Sequence, residues 1–173
     1  SAAALPVVLL APGRVRRSQK ALFKGLNCAH RGLHSVDKSV PENSMEAFRL
    51  AAEKGYGIEL DVQLSKDGQV VVFHDDTLNR VCGVDARVDS LDYEELKKLS
   101  LCGTEYGIPL FTEVLKLVDG RSKLIVELKG GPRNNELCQT TRDILDYYDG
   151  DFCVESFHPG IVRWFRKNAP DYM

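Results

Sequence analysis

From residue 26 onward, short apolar runs alternate with stretches in which apolar residues recur every three or four positions. The runs Leu26–His30, Gly57–Gln63, Gln69–His74, Lys123–Lys129 and Phe152–Phe157 predict strands. Between them, "ENSMEAFRLAAEKG" places Met45, Phe48 and Ala52 on one helical face, with Gly55 set to end the helix. Asn43 is expected to cap its start, and Glu46, three residues on, to complete a capping box. A second helix around Leu137–Tyr148 is expected to bury Leu137, Ile144, Leu145 and Tyr148. A third starts near Pro159 and carries Ile161, Val162 and Phe165, while "DYEELKKL" and "PLFTEVLKLV" read as shorter helical pieces. Strands alternating with helices indicate βα units. The polar, turn-rich stretch 76–107 reads as an excursion from the main scaffold.

Composition narrows the class. The chain has 173 residues, near the size of one ordinary domain, and 43% hydrophobic against 28% charged residues suits a soluble protein with a real core. A net charge of −2 gives no basic surface for wrapping nucleic acid. Five scattered cysteines, odd in number and without a CxxC pair, favour reduced packing thiols in a cytoplasmic setting. Residues 1–20 stand apart from the domain expected over 21–173: "AAALPVVLLA" is followed by Arg14, Arg16, Arg17 and Lys20 without an acid. Ten apolar residues are too few for a bilayer core that needs about 20. The run reads either as the stump of a longer membrane anchor, with its basic flank on the cytoplasmic face, or as a plain terminus.

The predicted strand ends carry the chemistry. Side chains alternate along a strand, so Glu59 shares a face with Asp61, and Glu127 with Lys129. Each pair lies at the carboxyl end of its run, where α/β folds place their sites, and His30 and His74 end two further runs. With Asp67-Gly68 as a two-residue hairpin loop, Asp61 is expected directly opposite His74. A parallel arrangement of the same two strands still brings both to one rim. Three carboxylates at about 5 Å repel by on the order of 3 kcal/mol per pair at an effective dielectric near 20. A divalent cation removes that cost, and all-oxygen ligation by Glu59, Asp61 and Glu127 suits Ca²⁺ or Mg²⁺. Arg31 and Lys129 beside it suit a phosphate ester, and the two histidines suit proton transfer. Each residue alone has an ordinary explanation: Asn43 as a cap, and Glu42 as a favourable charge at a helix start.

"AHRG", "PENSMEAF", "GIELDVQLSKDGQVVVFHDDTLNR", "IPLFTEVL", "LIVELK" and "ESF" resemble, in order and spacing, the glycerophosphodiester phosphodiesterases from about residue 26 to the end. The resemblance implies a TIM-type (β/α)8 barrel related to phosphatidylinositol phospholipase C, with 76–107 as its insertion. It implies hydrolysis of a small glycerophosphodiester to glycerol 3-phosphate and an alcohol, through attack of the substrate's own neighbouring hydroxyl and a cyclic phosphate. His30 and His74 then resemble the acid/base pair, and Glu59, Asp61 and Glu127 the ligands of one divalent cation, Ca²⁺ or Mg²⁺. Arg31 and Lys129 resemble the phosphate contacts, and Glu42 a supporting residue. Five strands are visible where a closed barrel needs eight, so the chain is expected to be the larger part of a longer one. Two other readings remain open: a lysophospholipase D-type enzyme acting on membrane lipid, and a non-catalytic partial barrel that binds phosphoesters. The alcohol and the oligomeric state are not legible.

Overall fold

The computed structural model describes residues 23–172; the apolar and basic segment 1–20 lies outside them. The described residues form β1 (Cys28–His30), α1 (Met45–Glu53), β2 (Gly57–Leu64), β3 (Val70–Val72), α2 (Asn79–Cys82), α3 (Tyr93–Leu96), α4 (Phe111–Val118), β4 (Leu124–Leu128), α5 (Asn134–Leu145), β5 (Phe152–Glu155) and α6 (Pro159–Asn168). The five strands make one sheet in the order β1-β2-β4-β5, parallel throughout, with β3 paired antiparallel to β2.

The alternation of the sequence assigns one sheet face to the core. Ile58, Leu60, Val62, Leu124, Val126, Leu128 and Val154 pack against Phe48 of α1, Phe111 and Val118 of α4, Leu145 of α5 and Phe165 of α6. Each of the three phenylalanines is fully buried. Such burial contributes roughly 1.5–3 kcal/mol per large side chain relative to exposure. The opposite face is left to Glu59, Asp61 and Gln63 on β2, and to Glu127 on β4. No helix among the described residues is long and apolar enough to cross a membrane. All five cysteines are free thiols.

Two local expectations are corrected. The loop between β2 and β3 has three residues rather than two: Ser65 donates its N–H to Gln69, and Gly68 turns the chain at φ 82°. Asp and Gly alone do not fix loop length, and a three-residue loop with a left-handed glycine is the next commonest hairpin. The pairing therefore runs Val62↔Val72 and Leu64↔Val70, which puts Phe73 rather than His74 beside Asp61. Because a one-residue slip reverses every side chain, Val71 and Phe73 turn away from the main core. They seed a second cluster with Leu78, Val81, Val88, Leu96, Leu101 and Ile108, so residues 76–107 carry more buried apolar surface than their polar composition suggests. β3 then stops at Val72, and His74 is free to turn to the rim.

The second correction concerns α1. Its cap is Ser44, whose hydroxyl accepts from the Ala47 N–H at 3.2 Å, while Glu46 pairs with Arg49 instead of reaching back. Both Asn43 and Ser44 are good capping residues, and only the tertiary fold chooses between them. Asn43 is released for other work. His158 likewise serves as the N-cap of α6.

Gly32 is the tightest junction between β1 and α1. Its φ is 79°, and a Cβ there would stand 2.8 Å from the Ala47 Cβ and 2.9 Å from the Ala47 carbonyl carbon. Gly32→Ala is expected to destabilise the protein by about 1–3 kcal/mol through overpacking and left-handed strain. Denaturant unfolding checks this; an unchanged midpoint contradicts the junction described.

Candidate active site

The register lines up the polar face. His30 of β1 lies beside Glu59 of β2, and one step on, Asp61, Glu127 and Glu155 form a row across β2, β4 and β5. Neighbouring strands stand about 4.8 Å apart, so row mates on one face touch or share a ligand. One oxygen each of Glu59, Glu127 and Glu155 lies within 4.8 Å of the others. The structure thus unites Glu59 and Glu127, as the strand-end argument expected, and adds Glu155, which it did not single out. Burial, then the charges of Asp61, Glu127 and Glu155, push the Glu59 carboxyl up to about 7, against an opposing N–H from Arg31. Burial and the charges of Glu127 and Asp61 raise Glu155 as well.

Asp61, in register with Glu127 but outside that group of three, has no exposed side-chain surface. Its Oδ2 accepts from Asn43 Nδ2 at 2.9 Å and lies 3.4 Å from Arg31 Nε. Its Oδ1 is 3.5 Å from Lys129 Nζ but has no hydrogen-bond partner. A fully buried carboxylate oxygen met by a long ion pair but by no hydrogen bond is incompletely compensated. Lys129 also donates to Glu127 Oε1 at 2.8 Å; burial works against the ammonium, but these two carboxylates more than offset it and hold its pKa above the ordinary value.

Backbone strain frames the site. Arg31 at φ 57° and Asn43 at φ 55° are both left-handed, which L-residues seldom adopt. The twist at Arg31 aims its N–H at Glu59 Oε2, 2.8 Å away, and its carbonyl accepts from the Asn43 N–H at 2.9 Å. Strain of this kind, on the order of 1–3 kcal/mol per residue, gathers at working sites.

His30 stands beside the carboxylates, and the His74 charge reaches it. His30 Nε2 lies 3.8 Å from Glu59 Oε2, and partial burial together with the Arg31 guanidinium lowers its pKa. His74 is reached differently. Its Nδ1 bonds Asp75 Oδ1 at 2.6 Å, and hydrogen bonds from Arg80 first, then from His74, hold the Asp75 carboxyl down at about 2. An ionised carboxylate only accepts, so Nδ1 carries the proton and Nε2 is the basic nitrogen. Arg80 of α2 also grips Glu42, which binds Arg31 Nη1 at 2.7 Å. One chain of charges therefore runs from His74 through Asp75, Arg80 and Glu42 to Arg31. Gln63 fixes the turn by donating to the carbonyls of Phe73 and Asp75.

Residues 30–173 match the model of the glycerophosphoryl diester phosphodiesterase family. The chain belongs to that family. A glycerophosphodiester phosphodiesterase of Caldanaerobacter subterraneus subsp. tengcongensis is 43% identical over 162 residues, 86% of this chain and 64% of that protein. One of Bacillus altitudinis is 38% identical over 154 residues, 82% of this chain and 62% of that protein. A phosphodiesterase of Oleispira antarctica, solved with its product sn-glycerol-3-phosphate, superposes with a TM-score of 0.79 at 27% identity over 87% of this chain and 65% of that one. The chain thus spans less than two thirds of the length of each. Over that span its parallel α/β sheet has the fold of the family's solved TIM-barrel structures.

Asp75, Arg80 and Glu155 join this rim without having been singled out, and Asn43, expected only as a helix cap, reaches Asp61. Asp75 and Glu155 were within reach of the rule that found Glu127, since one follows a strand-end histidine and the other ends the fifth strand. Arg80 follows only from the folded insertion.

Glu42, like Asp75, has its carboxyl held down to about 2, first by hydrogen bonds from Arg80. Both fall below their unfolded values, so the unfolded chain binds more protons and stability drops as pH falls from about 4.5 towards 2. Arg80→Met is expected to cost about 1–2 kcal/mol at pH 7, discounted for a half-exposed guanidinium. It is also expected to flatten that acid limb. Thermal unfolding from pH 7 to 2 checks both, and a parallel acid limb in the variant contradicts the clamp.

Proposed function

We propose that this chain carries the reactive centre of a metal-dependent glycerophosphodiester phosphodiesterase, releasing glycerol 3-phosphate and an alcohol. The observation that supports it most is the meeting of several carboxylates, one arginine and one lysine at the carboxyl ends of parallel strands, with the His30 imidazole beside them. The donor set fits a hard cation: it is all oxygen, it is mutually repulsive, and Asp61 Oδ1 has no hydrogen bond. Glu59, Asp61 and Glu127 hold that ion, which supplies positive charge for the phosphoryl oxygens when bound.

The remaining work falls to the chain. Arg31 and Lys129 are braced by Glu42 and Glu127, so their donors are positioned before a phosphodiester arrives, and preorganised donors cost little reorganisation. His30 and His74 exchange protons with the attacking and departing oxygens. The tether of Asp75 on Nδ1 leaves Nε2 of His74 for that exchange. An attacking hydroxyl belonging to the substrate's own glycerol is already held beside phosphorus, which lowers the entropic barrier.

His30→Ala and His74→Ala are each expected to lower kcat by about 10²–10⁴-fold. The check is release of glycerol 3-phosphate from glycerophosphocholine, glycerophosphoethanolamine and glycerophosphoglycerol, with lysophosphatidylcholine as the lipid arm. EDTA should abolish turnover, and Ca²⁺ or Mg²⁺ restore it. Full activity in the double histidine variant refutes the reading; turnover of the lysophospholipid alone moves it to a lysophospholipase D.

A further inference from the structure

Glu155 is the carboxylate that the proposal above does not use. It stands at the end of β5, in register with Glu127, which is in register with Asp61. Three acidic side chains in one row on three adjacent strands are an unfavourable choice for folding, since cross-strand like charges repel. Lys129 meets only two of them, at 2.8 Å from Glu127 and 3.5 Å from Asp61. Among the described residues no cationic side chain pairs with Glu155. Its oxygen nevertheless lies within 4.8 Å of one from Glu59 and one from Glu127. In register with Glu127, the fully buried Asp61 leaves its Oδ1 without a hydrogen-bond partner, 3.5 Å from Lys129 Nζ.

We propose that Glu155 is a fourth carboxylate ligand of the cation site and tips its preference towards Ca²⁺ over Mg²⁺. This rests on the cation-dependent reading given above. Ca²⁺ takes six to eight oxygens at about 2.3–2.6 Å in flexible geometry, so two such bonds span up to about 5 Å. The glutamate oxygens, all within 4.8 Å of one another, fall inside that reach. Mg²⁺ demands a near-ideal octahedron at about 2.0–2.1 Å, keeps several waters, and uses one or two carboxylates. A rim offering four carboxylates from three strands gives Ca²⁺ ligands that Mg²⁺ has no use for. Glu155 is the exposed member, so it closes the site from the solvent side, with Asp61 at its floor.

Calorimetric titration of the full chain with CaCl₂ and with MgCl₂, at constant ionic strength, tests this without reference to turnover. The unmutated protein is expected to bind Ca²⁺ more tightly. Glu155→Gln is expected to weaken Ca²⁺ by about tenfold or more and Mg²⁺ by less than about threefold, with Glu155→Asp between. Its unfolding midpoint without ion should not fall, because Glu155 is exposed. Glu59→Gln should abolish binding of both ions. Unchanged Ca²⁺ affinity in Glu155→Gln, or an equal loss for both ions, overturns the role of Glu155 while Glu59→Gln still upholds the cation site. Failure of the unmutated chain to bind either ion overturns both.

Discussion

The structure depends on the parallel register of β2, β4 and β5. On one face it interlocks Ile58, Leu60, Val126, Leu128 and Val154 into the core; on the other it sets Asp61, Glu127 and Glu155 side by side. The two faces cannot be adjusted separately. Any slip that relieved the carboxylates would drive the aliphatic residues out of the core, at roughly 1.5–3 kcal/mol for each large side chain. Apolar burial on the helix side thus holds together an electrostatic arrangement that would otherwise spread apart. Function here is maintained against a local gradient by packing elsewhere.

The cationic residues moderate that arrangement without cancelling it. Lys129 spans Asp61 and Glu127, and Arg31 spans Asp61 and Glu42 while its backbone N–H serves Glu59. Each contact is charge-assisted, and together they fix where positive charge stands on the rim. Glu59 accepts the Arg31 N–H, yet burial and the neighbouring carboxylates still push its carboxyl up to about 7.

Much of this was legible from the chain. Period-two runs ending in His30, Glu59-x-Asp61 and Glu127-x-Lys129 gave the strands and the rim, because alternation is a local property. What escaped was set by tertiary choice. Asn43 and Ser44 are equivalent caps on paper; the fold uses Ser44 and turns Asn43 on to Asp61. Asp67-Gly68 announces a hairpin, yet three loop residues instead of two shift the partner of Asp61 from His74 to Phe73. Glu155 shows a different failure, since the strand-end rule was applied to four ends and stopped short of the fifth. Residues 76–107 looked polar because their apolar residues are scattered singly among charged and turn residues, but they converge on Val71 and Phe73.

That convergence has a mechanical consequence. Residues 76–107 close around a miniature hydrophobic cluster of their own, and the α2 helix carrying Arg80 rides on it through Val81. A single guanidinium spans Asp75 and Glu42. A transient opening of that cluster therefore unlatches the anchor of His74 and the brace of Arg31 in one event. Substitutions there would loosen the rim long before the protein as a whole became fragile.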